Sequence, residues 1–232
     1  AVSGEFVLDR LIDNLMRTAL EHAGAQRGLL IDSQEGVLRL EAQAVTSGND
    51  IIVQRAQHPI ETVPLSMSMV NYVSRTQEVA IFDITAQAHP FSDDEYARTS
   101  RVCSILCLPL VRQGRVVALL YLENNLAPGV FTPARVAVLK LLASEAATSL
   151  ENSRLYRELQ EREGKFRRLV DSNIIGVVIA DREGAILEAN DAFLSMLGYS
   201  QDDVAAGRLR WADITPVEWL AANQRAWEQT RA

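Results

Sequence analysis

The sequence predicts an α+β protein in two unlike parts, the first built on one antiparallel sheet, joined by one long helix. Three observations predict it. Residues 131–171 have helical spacing with no proline after Pro133, residues 102–122 read as two strands around a tight turn, and residues 174–189 read as strand, turn and strand ahead of a capped helix. The chain has 232 residues and 48% apolar content, which allows one large core or two small ones.

The first part opens with a helix over 6–23. Val7, Leu8, Leu11, Ile12, Leu15, Met16, Ala19 and Leu20 give it a wide apolar face, and Gly24 follows as its stop. Short strands are expected at 28–32, 37–45 and 51–54, separated by the turn clusters 34–36 and 47–49. After Pro64, residues 66–76 have helical spacing, and 79–82 reads as a strand. A polar loop over 83–100 carries Phe91, Tyr96 and a short helix expected to start at Ser92. The strongest strand signal is the pair 102–111 and 115–122 around Arg112, Gln113 and Gly114, a hairpin. Side chains alternate along a strand, so Cys103, Ile105 and Cys107 share one face, as do Tyr121 and Glu123 on the next strand. Both faces of this hairpin are mainly apolar. A sheet covered on one side by the terminal helices must bury its other side too, and the 83–100 loop is a natural cover with room for a cavity beneath it.

Thr132 and Pro133 suit the cap and first position of the long helix. A helix of roughly 39 residues reaches about 58 Å, more than one small domain needs. Its apolar face is broad from Val136 to Leu150, then narrows to Leu155, Leu159, Arg162, Phe166 and Leu169 in a four-three rhythm, with charge elsewhere. That pattern is a short dimeric seam or a solvated amphipathic linker. Gly164 weakens it by about 1 kcal/mol. Leu142 and Ala146 extend the expected dimer helix into the first part.

A formal net charge of -7 and a pI near 5.1 argue against nucleic acid or an anionic membrane surface as partner. No apolar run reaches the length of a membrane span, and two cysteines are too few for a disulfide framework. The chain reads as cytoplasmic, and its start at Ala1 without a leader reads as an internal fragment of a longer protein. Four residues along a strand separate Cys103 from Cys107 by about 13 Å, too far for a disulfide, so both read as core thiols rather than a redox pair. His22, His58 and His89 lack the spacing of a metal site, and His22 suits the end of the first helix. No glycine-rich phosphate loop is present.

Residues 104–110 (Ser-Ile-Leu-Cys-Leu-Pro-Leu) and 114–124 (Gly-Arg-Val-Val-Ala-Leu-Leu-Tyr-Leu-Glu-Asn) resemble the closing hairpin of a GAF domain. The stretch from Leu126 through Phe131-Thr132-Pro133-Ala134-Arg135 to Asn152 is similar to GAF domains of multi-sensor histidine kinases. The resemblance covers nearly all of residues 1–155. It implies a six-stranded antiparallel sheet, a helical back layer that often dimerises, and a small-molecule pocket on the other face. Residues 166–172, the strand pair that follows and the run from Asn190-Asp191-Ala192-Phe193 through Leu197-Gly198-Tyr199-Ser200 resemble the start of a PAS domain. That family expects a helix around 216–230 and about three further strands, so the PAS domain reads as truncated.

The expected organisation is a GAF domain over 1–150, a signalling helix over 132–171 overlapping its end, and the first part of a PAS domain over 172–232. By analogy with bilin-binding GAF domains, Cys103, Ile105, Cys107, Tyr121 and Glu123 face the pocket, Tyr96 covers it, and Met69, Tyr72 and Asp83 border it. The cofactor stays unidentified: the loop that carries the attachment cysteine in bilin binders has none here, the cyclic-nucleotide signature is not evident, and nothing points to haem. The implied function is a non-catalytic sensory module of a sensor histidine kinase. It would form a homodimer through the terminal helices, bind an unknown small molecule, and pass the change to a kinase domain in the same chain. Two alternatives stay open: a thiol-dependent methionine sulfoxide reductase using Cys103 or Cys107, and a ligand-free dimerisation scaffold.

Overall fold

The computed structural model describes residues 2–34, 36–85, 90–91, 93–171, 175–181, 183–220 and 222. The chain divides into two compact units, residues 1–157 and 158–232.

The first unit holds strands β1 (Arg27–Gln34), β2 (Val37–Ser47), β3 (Asp50–Pro59), β4 (Ala80–Asp83), β5 (Ser104–Arg112) and β6 (Arg115–Asn124). They form one antiparallel sheet in the order β3-β2-β1-β6-β5-β4. The β5–β6 turn places Gln113 at φ 49° and Gly114 at φ 75°, the paired left-handed geometry that matches the twist of a two-residue hairpin. β3 runs five residues past the expected 54. It is an edge strand, where exposed polar residues such as Gln54, Arg55 and His58 cost nothing and hide the strand from a hydrophobicity reading.

Helix α1 (Val2–Ala23) and the first part of α4 (Pro133–Asp171) lie on one face of this sheet. Ile12, Met16, Ala19 and Leu20 of α1, with Leu139, Ala143 and Leu150 of α4, pack on Leu30, Leu106, Leu108, Leu120 and Leu122. A Cβ at position 28 would collide with Leu20 and press on Leu122, so Gly28 lets α1 approach the sheet closely. Polar anchors fix α4 where it leaves the core. Arg112 donates to the Thr148 carbonyl at 2.7 Å and to Asn152 Oδ1 at 2.8 Å. Arg154 pairs with Asp32 and donates to the Val117 carbonyl at 3.1 Å.

The opposite face is covered by a 3-10 turn (Ile60–Thr62), α2 (Met67–Thr76) and α3 (Glu95–Thr99). Ser66 caps α2 by accepting from the Met69 N–H, and Asp94 caps α3 by accepting from the Ala97 N–H at 3.0 Å. The short helix thus begins at Glu95, three residues after the expected start, because Asp94 supplies the capping oxygen; Ser92 and His89 lie outside the described residues.

The second unit pairs β7 (Val178–Ala180) with β8 (Ile186–Ala189) antiparallel, followed by α5 (Asp191–Leu197), α6 (Gln201–Ala205) and α7 (Trp211–Ile214). Ile186, Leu194 and Leu209 form its small core. Asn190 caps α5, as expected, and ties two further segments to it. Its Oδ1 accepts from the N–H groups of Phe193 and Val177, and its Nδ2 donates to the carbonyls of Val170 and Ile175. The helix expected around 216–230 falls largely outside the described residues.

Candidate functional site

Strand alternation brings Arg27, Leu29 and Ile31 of β1, Leu119, Tyr121 and Glu123 of β6, and Ile105 and Cys107 of β5 to the covered face. The register is specific. Glu123 lies directly between Arg27 and Ile105, and Tyr121 directly between Leu29 and Cys107. Most of this layer is apolar, and within it sits a polar cluster.

Glu123 is its centre, 1% exposed. A carboxylate this deeply buried needs a partner, and Arg27 supplies one, with Nη1 3.0 Å from Oε2. The same Nη1 donates to the Pro64 carbonyl at 2.8 Å and to the Tyr96 hydroxyl at 3.2 Å. The Tyr121 hydroxyl accepts from the Ser66 N–H at 3.0 Å. One guanidinium and one buried phenol therefore fasten the sheet to the segment that leads into α2, and the guanidinium reaches α3 as well. Burial, and then the Glu123 charge, push both the Tyr96 and the Tyr121 phenols well above their ordinary range, so both are neutral at physiological pH. The cluster balances one cation against one anion.

The cover is fastened to itself by Asp94, whose Oδ2 accepts from the Ser68 hydroxyl at 2.6 Å and the Ser68 N–H at 3.3 Å while Oδ1 caps α3. Desolvation raises the pKa of this carboxyl, but the bonds from Ser68, Ala97 and Ser66 outweigh it, and the net displacement is downward.

Of the residues read from sequence, Met69, Ile105, Cys107, Tyr121 and Glu123 are buried on this face, and Tyr96 packs against it. Tyr72 lies at its margin, with its hydroxyl on Glu78 at 2.6 Å and its ring edge-on to Phe91. Asp83 is not brought there. Phe82 takes the inward position, so Asp83 faces the other way, where its carboxylate accepts from Ser104, Thr85 and the Gly129 N–H and pins the 127–129 loop. Cys103 stands just ahead of β5, half-buried, its thiol donating to the Asn125 carbonyl at 3.5 Å. Cys107 is fully buried, and that burial pushes its thiol far above the ordinary range, the reverse of what a nucleophilic thiolate needs. Arg27, Ser66 and Asp94 were not among the expected site residues.

On α4, Ala146 belongs to the core against the sheet, and Leu142 packs half-buried at its edge. The large exposed apolar positions of α4 are Val138, Leu141, Leu155, Tyr156, Leu159 and Phe166, the last 65% exposed. The Leu169 side chain lies outside the described residues. Within the second unit an open cleft of about 600 Å³ is lined by Phe166, Val170, Ile179, Glu188 and Asn190 among others. Among the described residues no group of three or more His, Cys, Asp or Glu side chains could hold a metal ion, and no helix is long and apolar enough to cross a membrane.

Residues 7–150 match the family model of the GAF domain. The chain belongs to the GAF family. Behind this GAF domain, residues 164–231 match the model of the PAS domain, and the two together make the chain a signalling sensory module. Among solved structures, the GAF region resembles a GAF domain of a putative membrane protein from Geobacter sulfurreducens, with a TM-score of 0.50 and 15% identity over 65% of this chain and 97% of that one. A GAF domain from Synechocystis sp. in its photoproduct state gives the same TM-score at 14% identity, covering 66% of this chain and 99% of that one. These likenesses are of fold. Among curated proteins, hybrid signal transduction histidine kinase G of Dictyostelium discoideum is 38% identical over 97 residues, 42% of this chain. The hybrid signal transduction protein dokA of the same organism is 33% identical over 67 residues. The chain spans 3% and 4% of the lengths of these two relatives.

Proposed function

We propose that this chain is the non-catalytic input segment of a cytoplasmic sensor histidine kinase. The covered face of the GAF sheet takes a small molecule, and α4, paired with its counterpart in a second copy, carries the response toward the PAS domain and a kinase domain in the same polypeptide. The observation that carries this reading is the Arg27–Glu123–Tyr96–Tyr121 cluster, a charged group of high cost placed inside an apolar layer and bonded to the cover. Strand β1 links the two faces: Arg27 engages the cluster, and Asp32, at the other end of the same strand, pairs with Arg154 of α4. A displacement of β1 or of the cover would therefore bear on α4, and a coupling of about 1–3 kcal/mol would be ordinary for such a relay. The exposed Leu155, Leu159 and Phe166 repeat at spacings of four and seven, as a helix seam between two copies requires.

A second reading, a dimer scaffold whose sheet face is filled by its own side chains, draws on the complete burial of Met69, Ile105, Cys107 and Tyr121. The reductase alternative requires a reactive thiolate, and the burial of Cys107 opposes one. Native mass spectrometry of the purified chain separates the first two readings. A dimer that carries non-covalent small-molecule mass supports the sensor, a dimer without it supports the scaffold, and a monomer contradicts the α4 relay.

A further inference from the structure

Two buried side-chain polar atoms among the described residues have no hydrogen-bond partner, Glu123 Oε1 and Ser100 Oγ. Tyr96, which receives the Arg27 bond, stands one helical turn before Ser100, the C-cap of α3. Native interiors rarely leave such atoms unsatisfied, and where they do, a water, an ion or a ligand is the usual explanation. Glu123 is the stronger of the two signals, because its side chain is 2% exposed and its second oxygen is already committed to Arg27.

The donor side of the pair is also unfinished. All the hydrogen bonds of Arg27 in the described structure leave from Nη1, toward Pro64, Tyr96 and Glu123. A guanidinium carries five N–H donors in a rigid fork, so Nε and Nη2 keep theirs. The Arg27 side chain is 17% exposed, which gives the cluster a route to solvent. A spare carboxylate acceptor therefore lies beside spare guanidinium donors. The ion pair is neutral as a unit, which disfavours a ligand with net charge: a cation would meet Arg27 and an anion would meet Glu123.

We infer that the Arg27–Glu123 pair recognises a small neutral molecule that carries an N–H donor and a carbonyl acceptor on one edge, the pattern of a primary amide or a lactam-type heterocycle. The ligand N–H donates to Glu123 Oε1 and its carbonyl accepts from the free N–H groups of Arg27. This rests on the reading of the covered face as a ligand site and adds to it the chemical class of the ligand.

The test uses a minimal pair of probes, 2-pyridone and N-methyl-2-pyridone, which share a shape and differ in the donor. Binding to the whole chain is followed by ligand-observed NMR, with Glu123→Met as a near-isosteric variant lacking both acceptors and circular dichroism as the check on folding. The expected result is that 2-pyridone binds the wild type, that N-methylation weakens binding by at least about tenfold, and that Glu123→Met loses the preference. Arg27→Lys, which keeps the charge and removes the fork, should weaken 2-pyridone as well. Equal binding of the two probes, retention of the preference in a folded Glu123→Met, or no binding of 2-pyridone to the wild type overturns the inference. If the probes fail while native mass spectrometry still shows a bound small molecule, the sensor reading stands and the ligand is of another class.

Discussion

The two faces of the GAF sheet bury polar groups in different ways. On the face under α1 and α4, polar side chains stand at the margins and are matched: Asp32 with Arg154, Ser104 with Asp83, and Asn124 with the Gly24 carbonyl and the N–H groups of Leu126 and Ala127. Between them the packing is aliphatic. On the face under α2 and α3, a carboxylate, a guanidinium and two phenols enter the layer itself, and one carboxylate oxygen is left over. The first arrangement is what stability alone would select. The second costs stability, and such cost is common where a site must bind something.

Substitutions sharpen this contrast in order of expected size. Leu139→Ala, in the aliphatic layer, should lower stability by about 3–4 kcal/mol in urea unfolding, the range for a fully buried leucine. Arg27→Ala should cost about 3 kcal/mol by the same measurement, mostly because Glu123 is left buried without its partner. Near-equal losses from such different causes would be separable by a double variant: Glu123→Met added to Arg27→Ala should recover part of the stability, whereas no second change rescues Leu139→Ala in that way. Arg154→Ala should cost about 2 kcal/mol, since it removes a partly buried ion pair and a carbonyl bond at the margin.

The cover is the weaker layer. Asp94→Ala should cost about 1 kcal/mol through loss of the α3 cap and the bonds to Ser68. Because the folded Asp94 carboxyl titrates below its unfolded value, its contribution is present above the ordinary aspartate range and is lost as pH falls through the folded pKa. The loss of stability on acidification below that range should accordingly be smaller in Asp94→Ala than in the wild type. Leu155→Lys with Leu159→Lys should change monomer stability least, by about 0.5 kcal/mol, yet halve the mass seen by light scattering; an unchanged mass would remove the α4 seam from the account.

Much of the framework was legible in the sequence. The β5–β6 hairpin is announced by Gln113 and Gly114, and the α5 cap by Asn190, because both depend on local backbone chemistry. The end of β3 was not, since Arg55, His58 and Pro59 are exposed at an edge of the sheet and Ala56 is too small to signal the face it packs. The site was half legible. Alternation correctly grouped Ile105, Cys107, Tyr121 and Glu123, but Asp83 required the register of a four-residue strand, where a shift of one position reverses the face. Arg27 could have been found by extending the alternation of Leu29 and Ile31 back by two residues, which places a cation among buried side chains. Ala146 misled because a helix packed on a sheet and a helix packed on another helix share nearly the same spacing, and only the position of the sheet tells which stripe is turned inward.

The separation of a matched structural face from an unfinished covered face is tested most directly by amide hydrogen exchange of the wild type against Glu123→Met. The account predicts altered protection in the segment entering α2, in α3 and at the β1 and β6 ends that hold Arg27 and position 123, with α1 and the first half of α4 unchanged. A uniform change across both faces, or none at all, would contradict it.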